Sequence, residues 1–284
     1  MRILAFGEIL FDVFGEERKI GGAPLNFAAH AVREGAEAHL VSAVGKDELG
    51  DIAIASALHH GVGTAYVSRS EQYDTGVCRV TLDERGIPEY DLVRPTAYDD
   101  VKLSADIKED HFDALYFGTL ALRGEANRRA LSELLRTECY GEVFVDVNVR
   151  RPYCDRESLF IALEGATVIK ISDEELDFVM SEAFSSAGCD ITAAIGEISR
   201  RYPRIKVIII TRGAEGSVAY DSKSGETFSC PAVKTEVVST VGAGDSFSAT
   251  FLVGYMNGES IPRCLERASA VSAYVVSRTE AIPE

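Results

Sequence analysis

The stretch KVIIITRGAEG (residues 206–216) carries the pattern that decides the fold. Its first half is β-branched and apolar on both faces, as a strand must be when it is buried in a parallel sheet. Gly213 and Gly216 follow the strand directly. Glycines at the carboxyl end of a parallel strand allow a ligand to approach the backbone closely. Taken alone, however, the loop is better interpreted as a tight turn into a hairpin at 217–220.

Strand-like runs of this kind alternate with helical patterns along most of the chain. Such alternation predicts an α/β fold in which helices cover a parallel sheet. The strand candidates are 3–6, 38–43, 114–117, 143–147, 168–171 and 207–211, and the helical patterns are 24–34, 49–60, 128–136, 246–256 and 262–277.

Two stretches, 11–20 and 74–93, break this alternation. The first is short and strand-like. The second contains two strand patterns joined by the turn DERG at 83–86, which indicates a β-hairpin. Antiparallel strands inserted into an α/β core form either a small lid or an edge hairpin, and the pattern favours neither.

The chain of 284 residues carries 29 Lys and Arg against 45 Asp and Glu, which gives a formal net charge of −16. At roughly 150 residues per domain, this length fits one large domain or two small ones. Nucleic acid is an unsuitable partner because phosphate backbones need a basic face, although a single site can be locally positive. Six cysteines without a CxxC pair indicate a reducing compartment. No apolar run reaches the length of about 18 residues that a membrane span needs, so we expect a cytoplasmic protein without a membrane partner.

The sharpest local feature is VSTVGAGDSF (238–247), in which Gly242, Ala243 and Gly244 lead into a helical pattern. A turn of small residues at a helix start exposes free backbone N–H groups and the positive end of the helix dipole, which suits an anion. Asp245 sits at this helix start, either as a cap or as a base beside a bound phosphate. From these four residues alone, a capping aspartate is the better interpretation. The motif is not a P-loop.

Three further clusters carry polar residues in similar positions. GGAPLN (21–26) places glycines before a helix, with Asn26 offering a donor and an acceptor to hydroxyl groups. DVNVR (146–150) and KISDEE (170–175) follow apolar strands, where side chains commonly face the ligand crevice of an open sheet. The acidic cluster of 170–175 suits either a hydrated cation or a helix start. Because four of the five clusters follow apolar strands, they point to a single site.

Together, these motifs resemble those of the ribokinase-like sugar kinases, also called PfkB carbohydrate kinases, and most closely those of the bacterial fructokinases. The resemblance extends nearly end to end and implies a doubly wound α/β domain over 1–284 with a small β-sheet lid from about 11–20 and 74–95. It also implies ATP-dependent phosphorylation of a sugar hydroxyl. The matching residues are Gly7-Glu8, Asp12, 21–50, Thr75-Gly76, Phe117-Gly118, 146–150, 211–216 and 242–247.

The resemblance further implies roles for some of the matching residues. Asp245 would be the catalytic base, and the N–H groups of Gly242, Ala243 and Gly244 would form the anion hole for the transferring phosphoryl group. Sugar hydroxyls would be held by Asp12, Gly21, Gly22 and Asn26, with Arg150 reaching the sugar or a phosphate. The residues that would bind ATP and its Mg²⁺ are Lys170, Glu175, Thr211, Gly213 and Gly216. Glu175 would contact the metal through water.

Three positions depart from the family pattern. Ser239 stands where the family usually has an Asp that shapes a loop for a monovalent cation, which leaves a need for K⁺ open. Ser172 replaces the Asn of an Asn-x-x-Glu motif at the magnesium shell. Ala-Ser-Ala at 268–270 replaces a pattern that often includes an Asn in the adenine pocket, which affects nucleotide preference.

A fructokinase-like enzyme, with a small sugar and ATP as its partners, is the leading hypothesis. The alternatives are a kinase for a 2-keto-3-deoxy sugar acid, a nucleoside or another sugar, and a non-catalytic sugar-binding protein. A sugar acid would need a cationic clamp, for which Arg150, Arg79 and Arg94 are candidates. The free edges of lid strands favour a homodimer.

Overall fold

The buried strand that the sequence predicts at 207–211 is observed at Val207–Thr211, within a nine-stranded sheet. A computed structural model describes residues 1–82, 88–136 and 140–284. The strands are β1 (Arg2–Phe6), β2 (Leu10–Phe14), β3 (Glu17–Gly21), β4 (Glu37–Gly45), β5 (Gly63–Ser70), β6 (Gly76–Leu82), β7 (Pro88–Leu92), β8 (Ala114–Gly118), β9 (Glu142–Asp146), β10 (Val168–Ser172), β11 (Val207–Thr211), β12 (Ser217–Asp221) and β13 (Glu226–Cys230). The helices are α1 (Ala23–Arg33), α2 (Glu48–His59), α3 (Glu125–Arg136), α4 (Arg156–Gly165), α5 (Asp173–Phe184), α6 (Ile191–Arg201), α7 (Ala243–Met256) and α8 (Ile261–Val276).

The large sheet has the strand order β13-β12-β11-β10-β9-β8-β1-β4-β5. All neighbours from β11 to β5 pair in parallel, and β12 and β13 add an antiparallel hairpin at one edge. The predicted α/β fold with a mostly parallel sheet is therefore confirmed. The hairpin begins where the turn after β11 ends, as the hairpin interpretation of that loop predicts.

Helices cover both faces of this sheet, so the fold is doubly wound. Successive residues of a strand point to opposite faces. Ile3 and Ala5 of β1 belong to the core under α1, α2, α7 and α8, whereas Leu4 and Phe6 belong to the core under α3, α4, α5 and α6. Each central strand is consequently apolar on both sides, which is the pattern the sequence shows at 206–211.

A separate four-stranded sheet, in the order β3-β2-β6-β7, forms from the two stretches that break the alternation. The stretch 11–20 is a hairpin of β2 and β3 rather than a single strand, because the chain turns after Phe14. β6 and β7 pair antiparallel as the hairpin pattern predicts, while the predicted turn at 83–86 falls outside the described residues.

Several helix and strand positions differ from the sequence pattern. α7 begins at Ala243, with Gly242 as its N-cap in a left-handed conformation, so the interpretation of Asp245 as the cap is wrong. α4, α6 and β5 have no counterpart among the predicted elements. β5 alternates only loosely, which weakens a periodic signal, whereas α6 has a clear apolar face with Ala194, Ile195 and Ile198 that the sequence analysis did not use.

Within the described ranges, no helix combines the length and the apolar character needed to cross a membrane.

A buried arginine fastens the small sheet to the large one. The Arg123 side chain is 0% exposed and forms a two-point ion pair with Asp99, at 2.6 and 2.9 Å. Its guanidinium also donates to the carbonyl groups of Leu92 and Val93, where β7 ends. The ring of Tyr98 lies 4.7 Å from the same cation. Arg123 therefore fixes the position at which the chain leaves the small sheet.

We predict that Arg123→Met lowers the free energy of unfolding by about 3–5 kcal/mol, the cost of breaking a buried pair by removing one partner. Urea denaturation measures this change. Arg129→Met is the matched control, because Arg129 forms an exposed pair with Glu125 on α3 and should cost less than about 1 kcal/mol. Equal losses in the two variants would contradict the role of Arg123.

Candidate active site

The carboxyl ends of β1 and β8 mark the place where the strand order reverses. β1 leads to β4 on one side, and β8 pairs with β1 on the other. Ligands of open α/β sheets bind in the crevice outside such a switch point. Glu8 follows β1, Asp146 ends β9, and Ser172 ends β10 directly before α5. The predicted motifs therefore meet at one edge of the sheet.

The start of α7 supplies backbone donors at this edge. Gly242 has a φ of 79°, and a Cβ there would lie 2.7 Å from the carbonyl oxygen of Ala281, so only glycine fits. The N–H group of Ala243 donates to the Thr240 carbonyl oxygen at 3.3 Å. Across the described part of the chain, no acceptor takes the N–H groups of Gly242 and Gly244. These two predicted donors are available to an anion, at the positive end of the helix dipole.

Asp245 lies in the first turn of α7 and is 9% exposed. Its Oδ2 atom accepts a hydrogen bond of 2.8 Å from Nδ2 of Asn26, on α1. Burial raises the pKa of Asp245 to about 6, and the Asp146 carboxylate adds to this rise; the Asn26 hydrogen bond, Lys170 and Arg150 oppose it. A carboxylate with a pKa near neutrality, oriented by an amide, is suited to accept a proton.

Lys170 and Asp146 form a buried ion pair beside this helix start. Nζ of Lys170 lies 2.7 Å from Oδ1 of Asp146, and Ser248 donates to Oδ2 at 3.1 Å. A Cβ on Gly244 would lie 3.4 Å from the Lys170 Nζ atom. Burial lowers the pKa of Lys170, but Asp146 and Glu175 raise it above its ordinary value. A charged ammonium group is therefore held against the anion-binding turn.

Glu175 connects two of the strand ends. Its Oε1 accepts from the Val149 N–H group at 2.6 Å, and its Oε2 accepts from the Ser172 N–H group at 2.8 Å. The second bond completes a capping box at the start of α5. Both carboxylate oxygens thus accept hydrogen bonds from backbone N–H groups. Contact with Mg²⁺ through a water molecule therefore suits Glu175 better than direct ligation. The metal role of Glu175 stays a prediction.

The loop after β11 contains two glycines with different surroundings. A Cβ on Gly213 would meet no heavy atom within 4 Å, so a ligand has room to approach. A Cβ on Gly216 would lie 2.1 Å from the carbonyl oxygen of Cys230, so this glycine is required for packing against the end of β13. Thr211 pairs with Ser172 across β10 and β11, at the same sheet edge. The roles of Thr211, Gly213 and Gly216 toward ATP stay predictions.

The predicted sugar-binding residues lie on α1 and the small sheet. Gly22, the N-cap of α1, has a φ of 115°, and a Cβ there would lie 2.4 Å from the Glu8 carbonyl oxygen. A Cβ on Gly21 would lie 3.4 Å from Oδ2 of Asp12, so these two residues are neighbours. Burial raises the pKa of Asp12, and the positive charge of Arg150 opposes this rise.

Arg150 is the exposed cation of this site. Burial raises the pKa values of Glu8, Asp12 and Asp245. The positive charge of Arg150 lowers each of them and so partly offsets that rise. The guanidinium therefore lies within electrostatic reach of both the small sheet and the start of α7. Of the other predicted clamps, Arg79 pairs with Asp91 at 3.6 Å on the exposed surface of the small sheet.

Sequence reasoning assigned no role to several side chains at this edge. Asp146 and Glu8 belong to motifs named in the sequence analysis. Their position at or after the end of an apolar strand could have identified them as site residues. Tyr98 and Tyr116 offered no such signal, because both resemble ordinary core residues in sequence. Their hydroxyl groups are buried and have no hydrogen-bond partner in the described part of the chain.

Free helix-start donors, a buried ammonium and a buried carboxylate on a doubly wound sheet define a site of the phosphotransferase class. The comparison with protein families agrees: residues 3–284 match the pfkB family carbohydrate kinase model, and the chain belongs to this family.

Named relatives share most of the chain. The fructokinase of Salmonella typhimurium is 30% identical over 270 residues, covering 88% of this chain and 83% of its own length. The 5-dehydro-2-deoxygluconokinase of Geobacillus thermodenitrificans (strain NG80-2) is 28% identical over 272 residues, covering 91% and 78%. The structure of the fructokinase of Xylella fastidiosa with bound ATP has a TM-score of 0.84 at 24% identity, covering 99% of this chain and 94% of that one. The ribokinase-like fold is thereby confirmed.

We predict that Asn26→Ala raises the pKa of Asp245 further above its ordinary value, because the carboxylate loses the hydrogen bond that favours its charged form. A ¹³C-carboxyl NMR titration measures this pKa, with Asp245→Asn assigning the signal. Asn257→Ala, at the exposed other end of α7, is the control and should leave the pKa unchanged. A pKa that stays constant or falls in Asn26→Ala would show that the amide does not stabilise the carboxylate.

Proposed function

We propose that this protein is an ATP-dependent sugar kinase in which Asp245 is the general base. The observation that carries the proposal is the buried Asp245 carboxylate in the same helical turn as the free N–H groups of Gly242 and Gly244. An attacking hydroxyl group and a transferring phosphoryl group both need to be close to this turn. Membership in the carbohydrate kinase family supports the reaction class.

In the proposed reaction, the acceptor hydroxyl oxygen forms a bond to the γ-phosphorus while the bond from that phosphorus to the ADP oxygen breaks. Asp245 takes the hydroxyl proton, and Asn26 keeps its carboxylate oriented. The backbone N–H groups of the α7 start stabilise negative charge on the phosphoryl oxygens. Lys170 adds a positive charge beside Gly244 without leaving its pair with Asp146.

The proposed nucleotide side of the site follows β10 and β11. The open space at Gly213 admits a phosphate or ribose, and Thr211 lies on the adjoining strand end. Mg²⁺ would neutralise charge between the phosphates, held chiefly by phosphate oxygens and water, with Glu175 as a ligand through water. A K⁺ requirement stays open, since the Ser239 hydroxyl accepts from the Val241 N–H group at 3.3 Å and brings no carboxylate to that loop.

For the acceptor, we propose a furanose or keto sugar of the fructose type as the leading candidate. The relative from Salmonella typhimurium is a fructokinase, which supports this choice. The second candidate is a sugar acid. Arg150 favours it, because its exposed guanidinium, near Asp12, could pair with the carboxylate of such a substrate. The relative from Geobacillus thermodenitrificans, a 5-dehydro-2-deoxygluconokinase, supports an acceptor beyond simple hexoses.

The small sheet is proposed to act as a lid over the acceptor. Asp12 and Gly21 belong to this sheet, whereas Asn26 and Asp245 belong to the large unit, so closure would bring both sets around one sugar. Closure would also exclude water from the phosphoryl group. The division of the chain into a domain and a lid, the homodimer and the cytoplasmic location stay predictions from the sequence.

The test is turnover of ATP with Mg²⁺ across an acceptor panel of fructose, ribose, a ribonucleoside, 2-keto-3-deoxygluconate and 5-dehydro-2-deoxygluconate. We expect ADP release that depends on one class of acceptor. Asp245→Asn should lower that turnover by at least about 10²-fold, the scale of a lost general base, and should preserve ligand-induced shifts in melting temperature.

Two outcomes would contradict this proposal. Thermal shifts with sugars but no turnover with any acceptor would indicate a sugar-binding protein without catalysis. Turnover that is unchanged in Asp245→Asn would refute the base assignment and leave the reaction class intact.

A further inference from the structure

Among the residues that the structure describes, four buried polar atoms on or near β1, α1 and β8 have no hydrogen-bond partner. They are Oε2 of Glu8, Oδ1 of Asn26, and the hydroxyl oxygens of Tyr98 and Tyr116. The residues that carry them are at most 4% exposed. Buried polar atoms in native proteins are nearly always hydrogen-bonded, so a cluster of orphans indicates a missing partner. A molecule rich in hydroxyl groups would satisfy such a cluster.

Glu8 holds the most costly of these orphans, because it is an acidic side chain. It follows β1 at the switch point, and its Oε1 accepts from the Ala23 N–H group at 3.3 Å. Ala23 is the first residue of α1, the helix that also carries Asn26. One carboxylate oxygen is therefore tied to the helix start, which orients the side chain and leaves the other oxygen unoccupied.

Glu175 shows what a glutamate with a structural role looks like at this same sheet edge. Both of its oxygens accept backbone N–H groups, one from Val149 and one from Ser172. Glu8 is more deeply buried than Glu175, yet it has one satisfied and one orphaned oxygen. Packing alone does not account for a buried carboxylate that is left half-bonded, since an amide or an apolar side chain would cost less there.

Glu8 lies beside the proposed acceptor residues, since a Cβ on Gly22 would meet its carbonyl oxygen at 2.4 Å. Burial raises the pKa of Glu8 to about 7; the N–H groups of Glu8 and Ala23 oppose the rise, Asp245 adds to it, and Arg150 opposes it. Glu8 is therefore close enough to both Asp245 and Arg150 to feel their charges. Burial is also the main cause of the raised pKa of Tyr98 and Tyr116, and Glu8 contributes to both. Both tyrosines therefore lie within electrostatic reach of Glu8.

We propose that Glu8 is an acceptor-specificity residue whose free oxygen Oε2 receives a hydroxyl group of the sugar, next to the hydroxyl group that Asp245 deprotonates. The inference rests on the proposed kinase function. Glu8 Oε2 accepts a hydrogen bond from one sugar hydroxyl, and Asn26 Oδ1 accepts one from a second. The third hydroxyl group then lies at a defined position beside Asp245. The carboxylate selects polyols and rejects acceptors that lack this hydroxyl, because its oxygen would stay unpaired.

The test uses the best acceptor of the panel and its monodeoxy derivatives at pH 8, with wild type, Glu8→Gln and Glu8→Asp. We expect one monodeoxy derivative to have a KM at least about 10-fold above that of the parent sugar in wild type, the scale of a hydrogen bond to a charged group. Both variants should raise the parent sugar's KM by a similar factor and should no longer distinguish the parent from that derivative. The KM for ATP should stay unchanged.

Glu142→Gln is the matched control, because Glu142 is a largely buried carboxylate at the opposite end of β9, paired with Lys206. It should leave both KM values as they are. Melting temperatures provide a second readout. A buried carboxylate with a raised pKa costs stability above that pKa, so Glu8→Gln should be no less stable than wild type at pH 8. A structural glutamate would instead show a lower melting temperature and an unchanged acceptor KM.

The inference is overturned if both Glu8 variants keep the wild-type KM and the wild-type discrimination among the monodeoxy sugars. That result would leave the kinase proposal standing. A wild-type protein that turns over no acceptor would overturn the kinase proposal and this inference with it. If Glu8→Gln fails to fold, Glu8→Asp decides the question, since it keeps the charge and shortens the reach by one methylene group.

Discussion

The hydrogen bond between Asn26 and the buried carboxylate of Asp245 is the interaction on which the rest of the site depends. It joins α1 to α7, two helices that lie on the same face of the sheet and are more than 200 residues apart in sequence. Burial makes the carboxylate a better proton acceptor by raising its pKa to about 6, and the amide keeps it oriented. Without the amide, the same burial would favour the protonated form, which cannot accept a proton.

The surrounding charges keep the Asp245 carboxylate able to accept a proton and also favour the binding of a phosphoryl group. Asp146 raises the pKa of Asp245, but Asp146 is itself paired with Lys170, so the ammonium offsets its charge. Lys170 also lies against Gly244, in the turn whose free N–H groups are available to an anion. A chain with a net charge of −16 can therefore still receive a phosphate at this turn, because free backbone N–H groups lie at the positive end of a helix dipole where the nucleotide would lie.

Much of the fold is readable from particular residues. The apolar run at 207–211 predicted a strand with the bounds that the structure has. GGAPLN and GAGDSF predicted two helix starts that meet at 2.8 Å between Asn26 and Asp245. The sequence could not show which buried polar atoms lack partners, because that depends on packing in three dimensions; Tyr116, in an apolar strand, is indistinguishable from core. The cap of α7 was also misassigned, since the left-handed backbone of Gly242 has no signature beyond glycine itself.

The central claim, that a buried carboxylate with a raised pKa accepts the proton, is tested most directly by the pH dependence of kcat/KM for the acceptor. This parameter reports the protonation of the free enzyme. The account predicts a constant value at high pH, a decline in wild type that begins near pH 7, where Glu8 becomes protonated, and in Glu8→Gln a decline only as the pH falls through about 6, where Asp245 becomes protonated. Burial sets this position, and Asp146, Lys170 and Arg150 are the charged groups that shift it. A value that stays constant from pH 8 to well below pH 6 would contradict it.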